Sequence, residues 1–214
     1  MADAHWTVAH HFDDAAQQHE ASNLGMWAFL VTEIMFFGGM FLGYAVYRGS
    51  FPEVFSHASS YLDVALGTIN TAVLIGSSLT VALALHAAQE SKGRALSVFL
   101  VLTILLAMVF LGIKVTEYYH KYEEQLIPGS NFTYHGEDPR RAAIFFSFYF
   151  AMTGMHALHM IIGIGIFLVL ALQAWRGRYS EAYYTPVELA GLYWHFVDIV
   201  WIFLFPLFYL LGRH

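Results

Sequence analysis

An imidazole and a carboxylate lie three residues apart in Tyr193-Trp194-His195-Phe196-Val197-Asp198-Ile199-Val200-Trp201, flanked by aromatics inside an otherwise apolar stretch. On a helix that spacing puts both side chains on one face. Other titratable groups repeat the theme. Lys114 and Glu117 are again three apart, and Met152-Thr153-Gly154-Met155-His156-Ala157-Leu158-His159 puts two imidazoles on one face. Glu33 lies in Val31-Thr32-Glu33-Ile34-Met35-Phe36-Phe37-Gly38-Gly39, about three turns into its own run. Asn70 and Thr71 are milder, the kind of polar pair that joins helices in a membrane. A charged group at bilayer depth costs about 2.5 kcal/mol or more and tends to face a bundle interior. Carboxylates and imidazoles in that position either exchange protons, ligate metal, or hydrogen-bond one helix to another.

Each chemistry has its own requirement. Glu117-x-x-His120 has the local spacing of a di-iron bundle, and Glu33, His156, His159, His195 and Asp198 would have to complete the site. Such bundles use four carboxylates and two Glu-x-x-His motifs on paired helices, whereas this chain has one motif and His120 at the edge of its run. Bis-histidine haem ligation needs imidazoles on opposing helices; His156 and His159 share a face, so His195 would have to serve as partner. No metal site is therefore expected. Hydrogen bonding is the expected role of the three imidazoles, and an internal ion pair that of Lys114 and Glu117. For Glu33, a proton-exchanging acid and a carboxyl bonded across helices stand on equal footing. The histidines at 5, 10, 11 and 19 are expected in a solvated N-terminal tail.

The elements that hold these residues follow from composition. Of 214 residues, 58% are hydrophobic and 12% charged, half the share of about 25% usual in soluble domains; the mean hydropathy is +0.54. The absence of cysteine excludes disulfides, iron–sulfur and zinc-thiolate sites, a dicopper thiolate centre and covalent haem attachment. A formal charge of −6 with scattered basic residues excludes nucleic acid as a partner. The polar opening has no basic n-region, so no signal peptide is expected. Five apolar runs cover residues 24–47, 62–88, 95–119, 142–175 and 187–211, each meeting the roughly 20 residues that cross a bilayer. The expected fold is an all-α integral membrane protein, a five-transmembrane-helix bundle, with a polar tail at 1–23 and one domain at 24–214. Gly39-x-x-x-Gly43 allows a close helix approach. Tyr44, Tyr47, Tyr118, Tyr119, Trp175, Tyr183 and Tyr184 cluster at run ends as interfacial belts do. The long break at 120–141 is expected to be a solvated loop. Basic residues, four on the N-terminal side (Lys92, Arg94, Arg176, Arg178) against five opposite (Arg48, Lys121, Arg140, Arg141, Arg213), do not orient the bundle.

From about residue 24 to its C-terminus the chain resembles subunit III of the haem–copper respiratory oxidases. The resemblance is carried by Thr32-Glu33-Ile34-Met35-Phe36-Phe37, Ile69-Asn70-Thr71, Thr116-Glu117-Tyr118-Tyr119, the His156–His159 motif and the nonapeptide around His195 and Asp198, in order and each in its own run. It implies a non-catalytic role: no redox centre in this chain, haem and copper in partner subunits I and II, and direct packing on subunit I. It further implies stabilisation of subunit I and its proton uptake, and bound phospholipid. Glu33 resembles the family's buried, proton-linked carboxylate. Asn70, Glu117, His156, His159, His195 and Asp198 are assigned to an intramembrane polar network, and Glu33, Trp194, His195 and Trp201 to a lipid or subunit I contact. The implied complex is a proton-pumping terminal oxidase reducing oxygen with electrons from cytochrome c or, alternatively, quinol, with small subunits as further partners. The family's orientation puts the N-terminus in the cytoplasm of a bacterial inner membrane. Longer members have two more spans at the start, so the lipid cleft they enclose is here shared between chains or absent. The competing reading from the residues alone is a free-standing proton-coupled transporter using Glu33, His195 and Asp198; it calls for an internal repeat or broken helices, and neither is evident.

Overall fold

In the computed structural model, which describes residues 9–136, 138–181 and 183–211, the chain is a bundle of long helices. Helix α1 spans Ala15–Ser50, α2 Pro52–Ser59, α3 Val64–Gln89, α4 Gly93–Glu123, α5 Pro139–Trp175 and α6 Thr185–Phe205, followed by a π-helical turn at Pro206–Leu210. All except α2 are long and apolar enough to cross a membrane. The chain is a multi-pass membrane protein, and the described residues contain no strand beyond one isolated bridge between Ser180 and Tyr183.

Packing is unequal. Helices α3 and α4 share the most extensive contact, α4 lies on α5, and α6 packs on both α3 and α5, whereas α1 leans on α6 and α5 along a narrower seam. Two close approaches depend on glycine. A Cβ at Gly163 on α5 would sit 2.5 Å from the Trp194 ring, and one at Gly67 on α3 would sit 2.6 Å from the Phe205 ring. The expected Gly39-x-x-x-Gly43 seam is not a helix–helix contact at Gly39, which has nothing within 4 Å, and Gly43 meets only the ring of Phe148 at 3.3 Å. In a chain with 17 glycines the sequence pattern could not separate seam from lipid face.

Three further expectations change. Helix α1 begins well inside the stretch assigned to the polar tail, because the Asp14 carboxylate accepts the Gln17 N–H at 2.7 Å and caps it. His19 therefore lies on a helix and bonds Thr185, while His10 and His11 precede it and His5 and Arg213 fall outside the described residues. Tyr44, read as interfacial, is buried among Phe55, Phe145, Phe148 and Phe208, and its hydroxyl donates to the Leu207 carbonyl at 3.0 Å. Tyr47, Tyr119 and Trp175 are exposed, as belts require. The break at 120–141 is in part a packed cover. Leu126 and Tyr134 are buried, and Tyr134 hydrogen-bonds His57 of α2 at 2.5 Å. Burial pushes the Tyr134 phenol up to about 12, so it keeps its proton across the physiological range.

The two glycine environments make opposite demands. Gly163→Ala should force Trp194 from its place and cost about 1–3 kcal/mol, as overpacked cores do, whereas Gly39→Ala should change stability by no more than about 0.5 kcal/mol. Thermal unfolding of the two variants in the same detergent checks this; equal losses would contradict it.

Candidate functional site

With no water in the hydrocarbon core, a polar side chain must find its partner inside the protein. Three do so here through one device, a hydroxyl that donates to a carbonyl of its own helix and accepts from an aromatic donor on the next. Thr71 Oγ1 donates to Gly67 O at 2.8 Å and accepts the indole N–H of Trp201 at 3.1 Å. Ser77 Oγ donates to Leu74 O at 2.8 Å and accepts the indole N–H of Trp194 at 3.0 Å. Thr153 Oγ1 donates to Tyr149 O at 2.6 Å, which leaves it as acceptor for the Tyr118 hydroxyl at 2.5 Å. These relays join α3 to α6 twice and α4 to α5 once. Trp194 and Trp201, expected at a lipid or subunit I contact, are instead fully buried, their N–H groups used within the chain. Thr71 thus joins two helices as its sequence setting suggests, whereas Ser77 and Thr153 carry no signal as acceptors, because a lone Ser or Thr in a run has no spacing pattern.

Near the end of α4, Lys114 and Glu117 form the expected ion pair at 2.9 Å. The ammonium also donates to Tyr149 Oη at 3.1 Å on α5 and to Tyr209 Oη at 3.0 Å in the π-turn. Its three donors thus meet three acceptors. Tyr209 in turn donates to the second carboxylate oxygen of Glu117 at 2.6 Å. Pro206, which removes one backbone donor, opens the π-turn in which Tyr209 lies. Tyr149 and Tyr209 carried no sequence signal of this role.

Glu33 on α1 meets His159 on α5, Oε2 to Nε2 at 3.2 Å. The Nδ1 of His159 lies 2.9 Å from the Met155 carbonyl, an acceptor only, so Nδ1 carries a hydrogen. The Nε2 side of the ring is thus the one turned to the Glu33 carboxyl. Tyr193 of α6 donates to the His159 carbonyl at 3.0 Å and fixes the same turn. The side chain of Glu33 is half-open to the outside of the bundle, at 20% exposure against 11% for His159.

The remaining sequence-assigned residues are not linked to these clusters by hydrogen bonds. His195 Nδ1 bonds Ser78 Oγ at 2.8 Å on α3. Asp198 shares the Ser78 neighbourhood, yet neither of its oxygens has a hydrogen-bond partner in the chain. Asn70 and His156 are buried with both polar atoms of each side chain unpartnered. His156 packs against the rings of Phe110 and Trp201, with centroids at 5.5 and 5.3 Å. The polar interior is therefore a series of separate pairs and isolated groups. Glu117 and His120, the di-iron spacing, diverge: Glu117 is buried on Lys114 while His120 is exposed. Among the described residues no three His, Asp or Glu side chains come together as a ligand set.

The five-span bundle thus holds its buried ionisable groups either in pairs or isolated, and comparison with known proteins identifies its family. The family model for cytochrome c oxidase subunit III matches residues 4–213. Subunit 3 of the cytochrome bo(3) ubiquinol oxidase of Pseudomonas aeruginosa is 33% identical over 99% of this chain and 95% of its own length. Cytochrome c oxidase subunit 3 of Thermostichus vulcanus is 33% identical over 94% of this chain and 92% of its own, and a probable quinol oxidase subunit 3 of Staphylococcus haemolyticus is 28% identical over 94% of each. The chain belongs to the cytochrome c oxidase subunit III family. It is subunit III of a haem–copper oxidase, a component of a respiratory chain that assembles with other oxidase subunits.

Replacing one member of the buried ion pair should be worse than replacing both. Lys114→Met alone leaves Glu117 charged and unpaired, a loss of about 3–5 kcal/mol, and the double variant Lys114→Met/Glu117→Leu should recover a large part of it. Thermal midpoints of the single and double variants decide the matter; additive losses would sink the pairing.

Proposed function

We propose that the chain is a redox-inactive accessory subunit of a proton-pumping terminal oxidase in which subunits I and II carry haem and copper. It packs on subunit I, stabilises that subunit and its proton uptake through repeated turnover, and holds phospholipid beside it. Electrons come from cytochrome c. The single observation that carries this reading is that, among the described residues, the buried acids and bases are committed to pairs or left isolated, with no continuous hydrogen-bonded route from one face to the other. A free-standing proton-coupled transporter would need such a route. Quinol is a second donor reading, supported by the 33% identical relative named as a ubiquinol oxidase subunit. The family resemblance favours a bacterial cytoplasmic membrane, with the start of α1 on the cytoplasmic side and the end of α6 outside.

In this reading Glu33 and His159 form the proton-holding pair that faces the partner or its lipid. The half-open position of Glu33, on the helix with the narrowest internal seam, supports that placement. His195, bonded to Ser78, fastens α6 to α3 beside the buried Asp198. Donor choice is made outside this chain, on the subunit that receives electrons.

Gentle isolation of the tagged chain should bring down an oxygen-consuming assembly with haem absorption, and separation of the subunits should leave this one without stoichiometric iron or copper. Reduced cytochrome c and a quinol, supplied in turn, then distinguish the donors. Asp198→Ala should leave initial oxygen reduction near wild type while lowering assembly or shortening activity over repeated turnovers. Immediate, complete loss of activity in a fully assembled Asp198→Ala complex would contradict the accessory role.

A further inference from the structure

At the end of the bundle where α4 finishes, a cleft of about 470 Å³ opens between the α2–α3 turn and the last turns of α4. Ser60, Asp63 and Ala65 form one rim, His120, Lys121 and Glu124 the other, and Glu117 lines it as well. At roughly 30 Å³ per molecule this is room for several waters. The rim is polar and ionic: Lys121 pairs with Glu124, and Asp63 accepts the N–H groups of Ala65 and Leu66 at 2.8 and 3.2 Å.

Glu117 joins this cleft to the buried cluster beneath it. A carboxylate offers about four acceptor positions, and the protein fills two, one from Lys114 and one from Tyr209. Further in, Lys114 Nζ lies 5.2 Å from the Trp201 ring centroid, and His156 rests on the same ring with neither nitrogen partnered. Buried polar atoms without protein partners are where internal water is ordinarily held.

We propose that this cleft is an aqueous inlet, and that the Lys114–Glu117–Tyr209–Tyr149 cluster at its floor is a proton-exchanging site open to the side of the membrane on which α4 ends. A hydronium ion in the cleft gives its proton to a Glu117 oxygen and leaves as water, and the reverse step returns it. While Glu117 is neutral, Tyr149, Tyr209 and the carbonyl oxygen of the protonated carboxyl still accept the three N–H groups of Lys114. Exchange is local. Among the described residues no hydrogen bond connects the cluster to Glu33–His159 or to the His19–Thr185 contact at the opposite end. This goes beyond the accessory role and holds for either electron donor.

The test is hydrogen–deuterium exchange in the intact oxidase, followed by infrared spectroscopy after transfer to D2O. Tyr209→Phe assigns the Tyr209 hydroxyl band, and the indole N–H of Trp194, fully buried on Ser77, is the slow internal reference. Tyr209 should exchange at least tenfold faster than Trp194. Ala65→Trp, which fills the cleft without replacing a residue of the cluster, should slow Tyr209 at least tenfold and leave oxygen consumption unchanged; Ser60→Trp on the same rim serves if that variant does not assemble. Exchange of Tyr209 as slow as Trp194 in the wild type would overturn the proposal, as would an unchanged rate in the assembled cleft-filled variants.

Discussion

The ammonium of Lys114 can remain deep in the bundle only because three oxygens from three different elements reach it together. Glu117 comes from α4, Tyr149 from α5 and Tyr209 from the π-turn after α6. A lysine in hydrocarbon is costly enough that any arrangement leaving one N–H unmet is disfavoured. The cluster therefore sets the relative rotation of α4 and α5 and requires the chain after α6 to turn inward. Regular α-geometry past Pro206 would aim Tyr209 elsewhere; the wider turn brings its hydroxyl between carboxylate and ammonium.

The remainder of the core obeys the same constraint with neutral groups. Lipid tails are as apolar as leucine, so burial of apolar surface gives little reason for one helix to prefer another. Close packing and hydrogen bonds decide instead. Helix α6 shows both: Trp194 presses against Gly163 of α5 while its N–H bonds Ser77 of α3, and Trp201, two turns along the same face, bonds Thr71 of α3. Each indole fixes distance and register at once. The glycine and the hydroxyl that receive it lie on different helices, so α6 is held between α3 and α5.

Much of this was legible in the sequence, and the illegible part has a common cause. The five spans follow from hydropathy, since every run is bounded by charged or proline-containing breaks. The Lys114–Glu117 pair follows from its spacing. Partners across helices do not: that Glu33 meets His159 and that His195 meets Ser78 depends on rotations no single span encodes. The nonapeptide misleads for the same reason. A spacing of three puts His195 and Asp198 on one face, yet the imidazole finds a hydroxyl while the carboxylate has no protein donor. Helix α2 escaped notice because eight residues opening on proline resemble a turn, and it becomes a helix by burying Phe55 and Ala58 against the bundle.

Helix α1 is where packing and polar contact trade places. It has the narrowest seam of the spanning helices, and its described side chains lie largely on the outside of the bundle. Four polar clasps nevertheless secure it at successive heights. His19 bonds Thr185 at 3.1 Å, Glu33 meets His159, the Tyr44 hydroxyl reaches the Leu207 carbonyl, and Arg48 donates to the Leu211 carbonyl at 2.5 Å. Two of the four use main-chain carbonyls in and just after the π-turn, so the turn that completes the Lys114 cluster also anchors the far end of α1. A helix held at a few polar points rather than along a packed face leaves most of its length free for a neighbouring subunit or lipid. That division of labour, dense contact within α3 to α6 and discrete clasps for α1, is what a subunit of a larger membrane assembly requires.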